Sequence, residues 1–250
     1  MSAIGLYARA TEGHEQRVAH AAAALQAAAN EHPGRIVQAT SLGAEDMVLT
    51  DLIARHHLPV AVGTLDTRML HAQTLALVAT IRTRYAITVE LYRPRLEAVL
   101  HFVHDHGERA MFESVELRKG CCAIRKLEPL GHMLDGRSAW VTGLRREQSG
   151  ARASVPFSET DQGRTKFNPL ADWSWNDVWH YIAENDVPYN ALHDAFYPSI
   201  GCAPCTRAIA VGEDFRSGRW WWEESSKECG LHVKPEAAAS TLALTPEARA

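Results

Sequence analysis

Short apolar runs alternate with helix-favouring stretches along the first half of this chain. Residues 15–30 are rich in alanine, and Gly34 closes that stretch before Arg35-Ile-Val-Gln-Ala-Thr40 reads as a buried strand. A turn at Ser41-Leu42-Gly43-Ala44 leads into a helix over 45–56, and residues 59–65 form the next strand. The pattern repeats with a helix over 70–85, a strand over 87–92 and a helix over 96–106. A further buried strand is predicted over 138–143, and Ser174 is placed as the N-cap of a helix through Trp179 and Tyr181. Strand-length runs alternating with helices imply an α/β fold: an open, mostly parallel sheet flanked by helices. One domain over 1–232 is expected, followed by a flexible tail over 233–250 whose small and polar residues cannot bury a core.

Composition narrows the class. The 250 residues are 46% hydrophobic and 22% charged, enough for one well-filled core, and the formal net charge is −4. An acidic balance argues against a general nucleic-acid binder. The N-terminus has no charged-then-apolar signal pattern, and no apolar run has the length of a membrane span. A cytoplasmic protein with reduced thiols is expected.

Five cysteines in such a compartment suit a metal site with one thiol left over. Cys121 and Cys122 are adjacent, and Cys202-Ala-Pro-Cys205 follows much later. The Cys-x-x-Cys pair is compatible with a redox couple, with half of a zinc site or with an iron–sulfur cluster. Adjacent ligands are unusual for zinc, so a 4Fe–4S cluster is the favoured reading. Cys229, in Lys227-Glu-Cys-Gly-Leu-His232, stands apart as the spare thiol; Lys227 and His232 favour a thiolate there and Glu228 opposes it.

Two strand ends mark the ligand side of the sheet, because open parallel sheets bind beyond the carboxyl ends of their strands. Thr40–Asp46 offers hydroxyls, a glycine and a helix N-terminus to an anion, and Leu65-Asp66-Thr67 offers an acidic and a hydroxyl group to a ribose and base. Taken alone, the first segment reads more readily as a plain strand-to-helix turn, and the second is a weak signal too. The basic residues sharpen the picture. Arg125-Lys126, Arg145-Arg146, Arg216 and Arg219 fall at sheet edges or beside cysteines in a chain that is acidic overall, which points to an anion site. The adjacent Trp220-Trp-Trp222 is read as packing for the C-terminal arm.

Four motifs in this order, Lys119-Gly-Cys-Cys-Ala-Ile-Arg-Lys126, Gly201-Cys-Ala-Pro-Cys205, Phe215-Arg-Ser-Gly-Arg219 and Glu228-Cys-Gly-Leu-His232, resemble the assimilatory adenylyl-sulfate reductases. Those enzymes are relatives of the phosphoadenylyl-sulfate reductases and, more distantly, of ATP pyrophosphatases. The resemblance runs from about Arg35 to His232 and implies an adenine nucleotide alpha hydrolase-like fold with a mobile C-terminal arm. It implies that Cys121, Cys122, Cys202 and Cys205 ligate one 4Fe–4S cluster, a structural and electrostatic element near Lys126. It implies further that Cys229 attacks the sulfur of adenosine 5′-phosphosulfate, and that thioredoxin, or a glutaredoxin, then releases sulfite in sulfate assimilation toward cysteine. By the same resemblance Lys126, Arg145, Arg216 and Arg219 contact the phosphosulfate, with His232 in that set. Ser41, Gly43, Leu65, Asp66 and Thr67 hold the nucleotide. The chain departs from the family pattern after Asp66-Thr67, where a glycine is expected and Arg68-Met69 stands.

Three rivals remain open at this level. One is 3′-phosphoadenylyl-sulfate reduction by the same mechanism. The second is a sulfur-inserting tRNA enzyme, which would want a basic face and a Ser-Gly-Gly-type loop that this chain lacks. The third is a zinc-stabilised nucleotide-binding module, which would leave Cys229 and the arginine pair without a purpose. The resemblance leaves a homo-oligomer open.

Overall fold

Residues 36–40 and 139–141 carry apolar side chains on both faces, and such strands belong in the middle of a parallel sheet covered on both sides. The computed structural model describes residues 2–223 and places them there. Strands β1 (Ile36–Thr40), β2 (Ala61–Leu65), β3 (Val89–Tyr92), β4 (Ala139–Val141), β5 (Ser158–Asp161) and β6 (Arg164–Phe167) form one sheet in the order β3-β2-β1-β4-β6-β5. All neighbours are parallel except β5 and β6, which form an antiparallel hairpin at one edge.

The crossover helices are α3 (Ala44–Arg55), α4 (Ala72–Tyr85) and α5 (Leu96–His106); α1 (Ala3–Tyr7) and α2 (His14–Glu31) precede the sheet. Each strand and helix predicted in this half lies within two residues of its expected bounds, whereas the short α1 was not predicted. After α5 the chain runs through α6 (Val115–Cys122), a π-helical stretch (Ala123–Leu127) and α7 (Glu128–Leu134) with no break between them. α8 (Trp175–Glu184) starts as predicted at Ser174, whose Oγ accepts from Asp177 N at 3.0 Å.

The main core lies between the sheet and α2, α3 and α8, and is filled by Leu25, Ile36, Met47, Leu49, Val141, Trp173 and Trp179. One polar residue of β1 enters it and is satisfied there. Gln38 donates to Asp46 O at 2.7 Å and accepts from Thr50 Oγ1 at 3.0 Å. Strand order reverses between β1 and β4, so a crevice opens where the loops after these two strands diverge.

Candidate active site

That crevice is a cavity, and it divides into two chemically different ends. At the first end stand the turn after β1 and the loop after β4. Asp46 ties them together: its carboxylate accepts from Ser41 N and Ser41 Oγ, both at 2.6 Å, and from Gly143 N at 3.1 Å. Gly143 permits this approach, since a Cβ there would stand 2.5 Å from Asp46 Oδ1. Burial pushes the Asp46 carboxyl up to about 6 against these hydrogen bonds, and the charge of neighbouring Glu45 adds to the rise. Burial acts on Glu45 in the same sense, yet Arg145 beside it, helped by Gln148, holds its carboxyl below the usual range. The turn differs in one respect from its sequence reading. Ser41 N is taken by Asp46 and Leu42 N by Thr40 Oγ1 at 2.9 Å, so these two N–H groups serve the loop itself before any anion.

The second end is cationic and borders the cysteines. Lys126, Arg216 and Arg219 line it together with Cys202 and Trp220. Arg219 is buried; its Nε donates to Cys205 O and its Nη1 to Ile200 O, both at 3.3 Å. Gly201 makes room for it, because a Cβ would meet Arg219 Nη2 at 2.3 Å. The Trp220 ring is approached by two guanidinium groups, Arg118 and Arg219, each with Cζ 4.6 Å from the ring centroid. Arg118 in turn forms a buried two-pronged ion pair with Glu223, at 2.8 Å through each prong. This anchor holds the last described residues against α6.

None of the four described cysteines is in a disulfide and all are buried, and Cys121, Cys202 and Cys205 pack in one cluster with Met111 and Trp220. Burial pushes the Cys205 thiol up to about 12, with the neighbouring Cys202 adding to the rise; Lys126 and Arg219 pull it down. The Cys121 thiol is likewise raised by burial and opposed by Arg125. Buried thiols of this kind become thiolates only with a cationic partner, which suits a metal centre. One zinc ion with Zn–S bonds of about 2.3 Å needs sulfurs about 4 Å apart. Among the described residues no three cysteine sulfurs lie within 4.8 Å of one another, so the set is wider than one zinc ion gathers. The cysteines are wired to the turn after β2 as well. Thr67 Oγ1 lies 3.2 Å from Cys202 Sγ, Arg125 Nη1 donates to Thr67 O at 2.9 Å, and Ala203 N donates to Met69 O at 2.7 Å.

Of the residues expected at the site, Ser41, Gly43, Leu65, Thr67, Lys126, Arg216 and Arg219 line this cavity. Asp66 and Arg145 stand outside its lining. Asp66 accepts from Arg93 Nε at 2.8 Å and from Arg68 N at 3.1 Å, which braces the turn after β2. Arg145 is fully buried and donates to Glu45 at 3.0 Å, Glu147 at 2.7 Å and Trp173 O at 3.2 Å. Cys229 and His232 lie outside the described residues, as does the tail over 233–250.

Among the lining residues that the sequence did not point to are Gln148, Arg152 and His193. Arg152 Nη1 donates to Gln148 Oε1 at 2.6 Å, and Gln148 Nε2 donates to Glu45 at 3.0 Å. His193 is held neutral by burial, which pulls it down to about 4, and its ring stands edge-on to Trp179 at 5.2 Å. None of the three sits in a periodic pattern; for Gln148 and Arg152 the signal available was the polar run Arg145–Arg152 soon after a buried strand, and His193 had none.

Comparison with known proteins agrees with this geometry. The model of the phosphoadenosine phosphosulfate reductase domain matches residues 35–208. The adenosine 5′-phosphosulfate reductase of Allochromatium vinosum is 55% identical over 200 residues, which cover 79% of this chain and 78% of the relative. The protein of the same name from Burkholderia cepacia is 51% identical over 213 residues, covering 84% and 85%. Among solved structures, phosphoadenylyl-sulfate reductase from Candida auris, in a phosphate complex, aligns with a TM-score of 0.65 at 28% identity. That alignment covers 81% of this chain and 98% of the other.

Proposed function

From the premise that this chain belongs to the phosphoadenosine phosphosulfate reductase domain family, a family of oxidoreductases acting on sulfur, we propose that it reduces adenosine 5′-phosphosulfate to sulfite and AMP. The observation that carries this reading is the polarity of the cavity. Its hydroxyl-rich, acidic end suits an uncharged nucleoside, and its cationic end suits the phosphosulfate. Lys126, Arg216 and Arg219 offset the charge of the substrate, so that an anionic nucleophile can approach an anionic sulfonate. Arg152, which lines the cavity and donates to Gln148, adds a fourth cation. Arg145 acts as a positioning residue: it keeps Glu45 ionised and in place at the nucleoside end.

The nucleophile is Cys229. Its thiolate attacks the sulfonyl sulfur, the S–O bond to the phosphate breaks, and AMP leaves with that electron pair. The enzyme then carries Cys229–S–SO₃⁻. A thioredoxin dithiol supplies two electrons: one thiolate attacks Cys229 Sγ, sulfite departs, and the second thiolate closes the thioredoxin disulfide and frees Cys229. Cys121, Cys122, Cys202 and Cys205 hold one 4Fe–4S cluster, a reading supported by four buried thiols spread wider than one zinc ion requires. When bound, that cluster supplies a fixed local charge beside Lys126 and a covalent staple between the end of α6 and the loop 201–205. Among the described residues no helix is long and apolar enough to cross a membrane, and we place the reaction in the cytoplasm.

Sulfite release with thioredoxin as reductant tests this directly. Activity on adenosine 5′-phosphosulfate is expected to exceed that on the 3′-phosphorylated nucleotide by about a hundredfold in kcat/KM, because a buried phosphate without a dedicated partner costs a few kcal/mol. Cys229→Ser is expected to abolish release while still binding AMP. Equal use of both nucleotides overturns the substrate assignment, and turnover by Cys229→Ser overturns the nucleophile.

A further inference from the structure

Apart from the cavity, the first turn of α2 meets the outer face of α8 through a group of residues the reductase reaction does not use. His14, the first residue of α2, is buried, and its Nδ1 lies 3.0 Å from Asp177 Oδ1. Asp177 also accepts from Ser174 N and Oγ, Thr11 N and Oγ1, and Arg17 Nη2, at 2.7 to 3.3 Å. A carboxylate ringed by donors acts only as an acceptor, so the proton it shares with His14 sits on Nδ1. The lone pair of that imidazole is therefore on Nε2. This atom is buried and has no hydrogen-bond partner in the structure.

Beside it, α8 presents His180 and Glu184, four residues apart on one helical face, with His180 Nε2 3.7 Å from Glu184 Oε2. One ligand atom from each of His14, His180 and Glu184 lies within 4.8 Å of the others, and this is the only such group among the described residues. The His14 and His180 rings meet edge to face with centroids 4.8 Å apart. A plain reading takes His14 as a packed histidine and His180–Glu184 as a surface ion pair. That reading leaves a buried imidazole nitrogen without a partner, where such atoms are normally satisfied.

We infer that His14, His180 and Glu184 form a binding site for a divalent transition metal of the Zn²⁺ class, joining α2 to α8. Two imidazoles and one carboxylate are a standard donor set for Zn²⁺, with a fourth position left for water. Asp177 behind His14 Nδ1 supplies the carboxylate–histidine support that fixes the tautomer and orientation of a metal-binding imidazole. Entry is open, since His180 is half-buried and Glu184 exposed. The site is separate from the four cysteines and independent of the substrate reading.

Equilibrium dialysis of the full-length protein against micromolar Zn²⁺, followed by X-ray absorption at the zinc edge, tests it. The wild type is expected to hold one more zinc per chain than His180→Ala. That extra zinc should show only nitrogen and oxygen neighbours at about 2.0–2.1 Å. Zn²⁺ is expected to raise Tm by about 3 °C in the wild type and not in His180→Ala. Glu184→Gln, an exposed and isosteric change, is expected to weaken binding by about tenfold or more. Equal zinc content in wild type and His180→Ala overturns the site, and so does an extra zinc whose neighbours are sulfur.

Discussion

The two ends of the cavity solve opposite electrostatic problems. At the nucleoside end the carboxylates of Glu45 and Asp46 are buried among partners drawn from the chain itself: Ser41, Gly143, Gln148 and Arg145. Its polar groups are matched before a ligand arrives, so this end recognises by shape and by hydroxyl contacts. At the cysteine end the balance is reversed. Lys126, Arg216 and Arg219 line the cavity together with the buried Cys202, and the buried carboxylate of Glu223 is engaged by Arg118. Cationic side chains gathered in a partly desolvated place favour the entry of an anion, and such preorganised charge can be used on a transition state. On the proposed reading, binding the nucleoside and activating the sulfonate would fall to separate parts of one crevice.

The sharpest way to break that division is Gly201→Ala. The new Cβ would stand 2.3 Å from Arg219 Nη2, and the guanidinium must move. If the ends are separable, kcat falls by about a hundredfold, as for other displaced transition-state donors, while AMP affinity changes by less than about threefold. Loss of AMP binding to the same degree as kcat would show that the ends work as one unit.

The nucleoside end has its own signature in pH. Burial raises the Asp46 carboxyl from its ordinary 3.8 to about 6, so the folded protein holds this proton more tightly than the unfolded chain. Stability from this residue is therefore fully present below pH 3.8 and is lost as pH rises through about 6. Asp46→Asn removes the titration. Between pH 7.5 and 5 the stability of the wild type relative to this variant is expected to increase by about 1 kcal/mol, read from paired urea melts. A difference that stays constant across that range would mean that Asp46 remains ionised, and that its hydrogen bonds outweigh its burial.

The same contrast explains what the sequence disclosed. Strands β1, β2 and β4 were legible because a central parallel strand is apolar on both faces, β3 at the sheet edge because its run falls in the same alternation of strands and helices, and the cysteines and basic residues because their spacing is rare. The helical run Val115–Leu134 was not legible. It contains Gly120, two adjacent cysteines and Pro129, and it is held by tertiary contacts such as Arg118–Glu223 rather than by its own periodicity. Its π-helical stretch ends directly before the first turn of α7, where Pro129 needs no N–H partner. The β5–β6 hairpin was missed for another reason. Its inward residue is Lys166, which pairs with Glu159 at 3.3 Å and lies over the Trp140 ring, so no apolar alternation appears. The available signal was Gln162-Gly163, both at positive φ in a two-residue turn.

The smallest expected effect concerns Arg68, where this chain departs from the glycine of the resembled family. Arg68 adopts φ 61°, the left-handed region that glycine occupies without strain. Its N–H still serves the turn by donating to Asp66, and its side chain is exposed and outside the cavity lining. Arg68→Gly relieves about 1 kcal/mol of backbone strain and gives back a similar amount through the freer unfolded chain. The net change in stability is expected to stay within about 0.5 kcal/mol, whereas Arg68→Val, β-branched at positive φ, is expected to lose more than about 1 kcal/mol. The ratio of kcat/KM for adenosine 5′-phosphosulfate over its 3′-phosphorylated form is expected to move by less than about twofold in Arg68→Gly, since a side chain outside the crevice discriminates little. A tenfold rise in that ratio would instead make Arg68 a partner for the 3′-phosphate, and would extend the cationic end of the site around to the ribose.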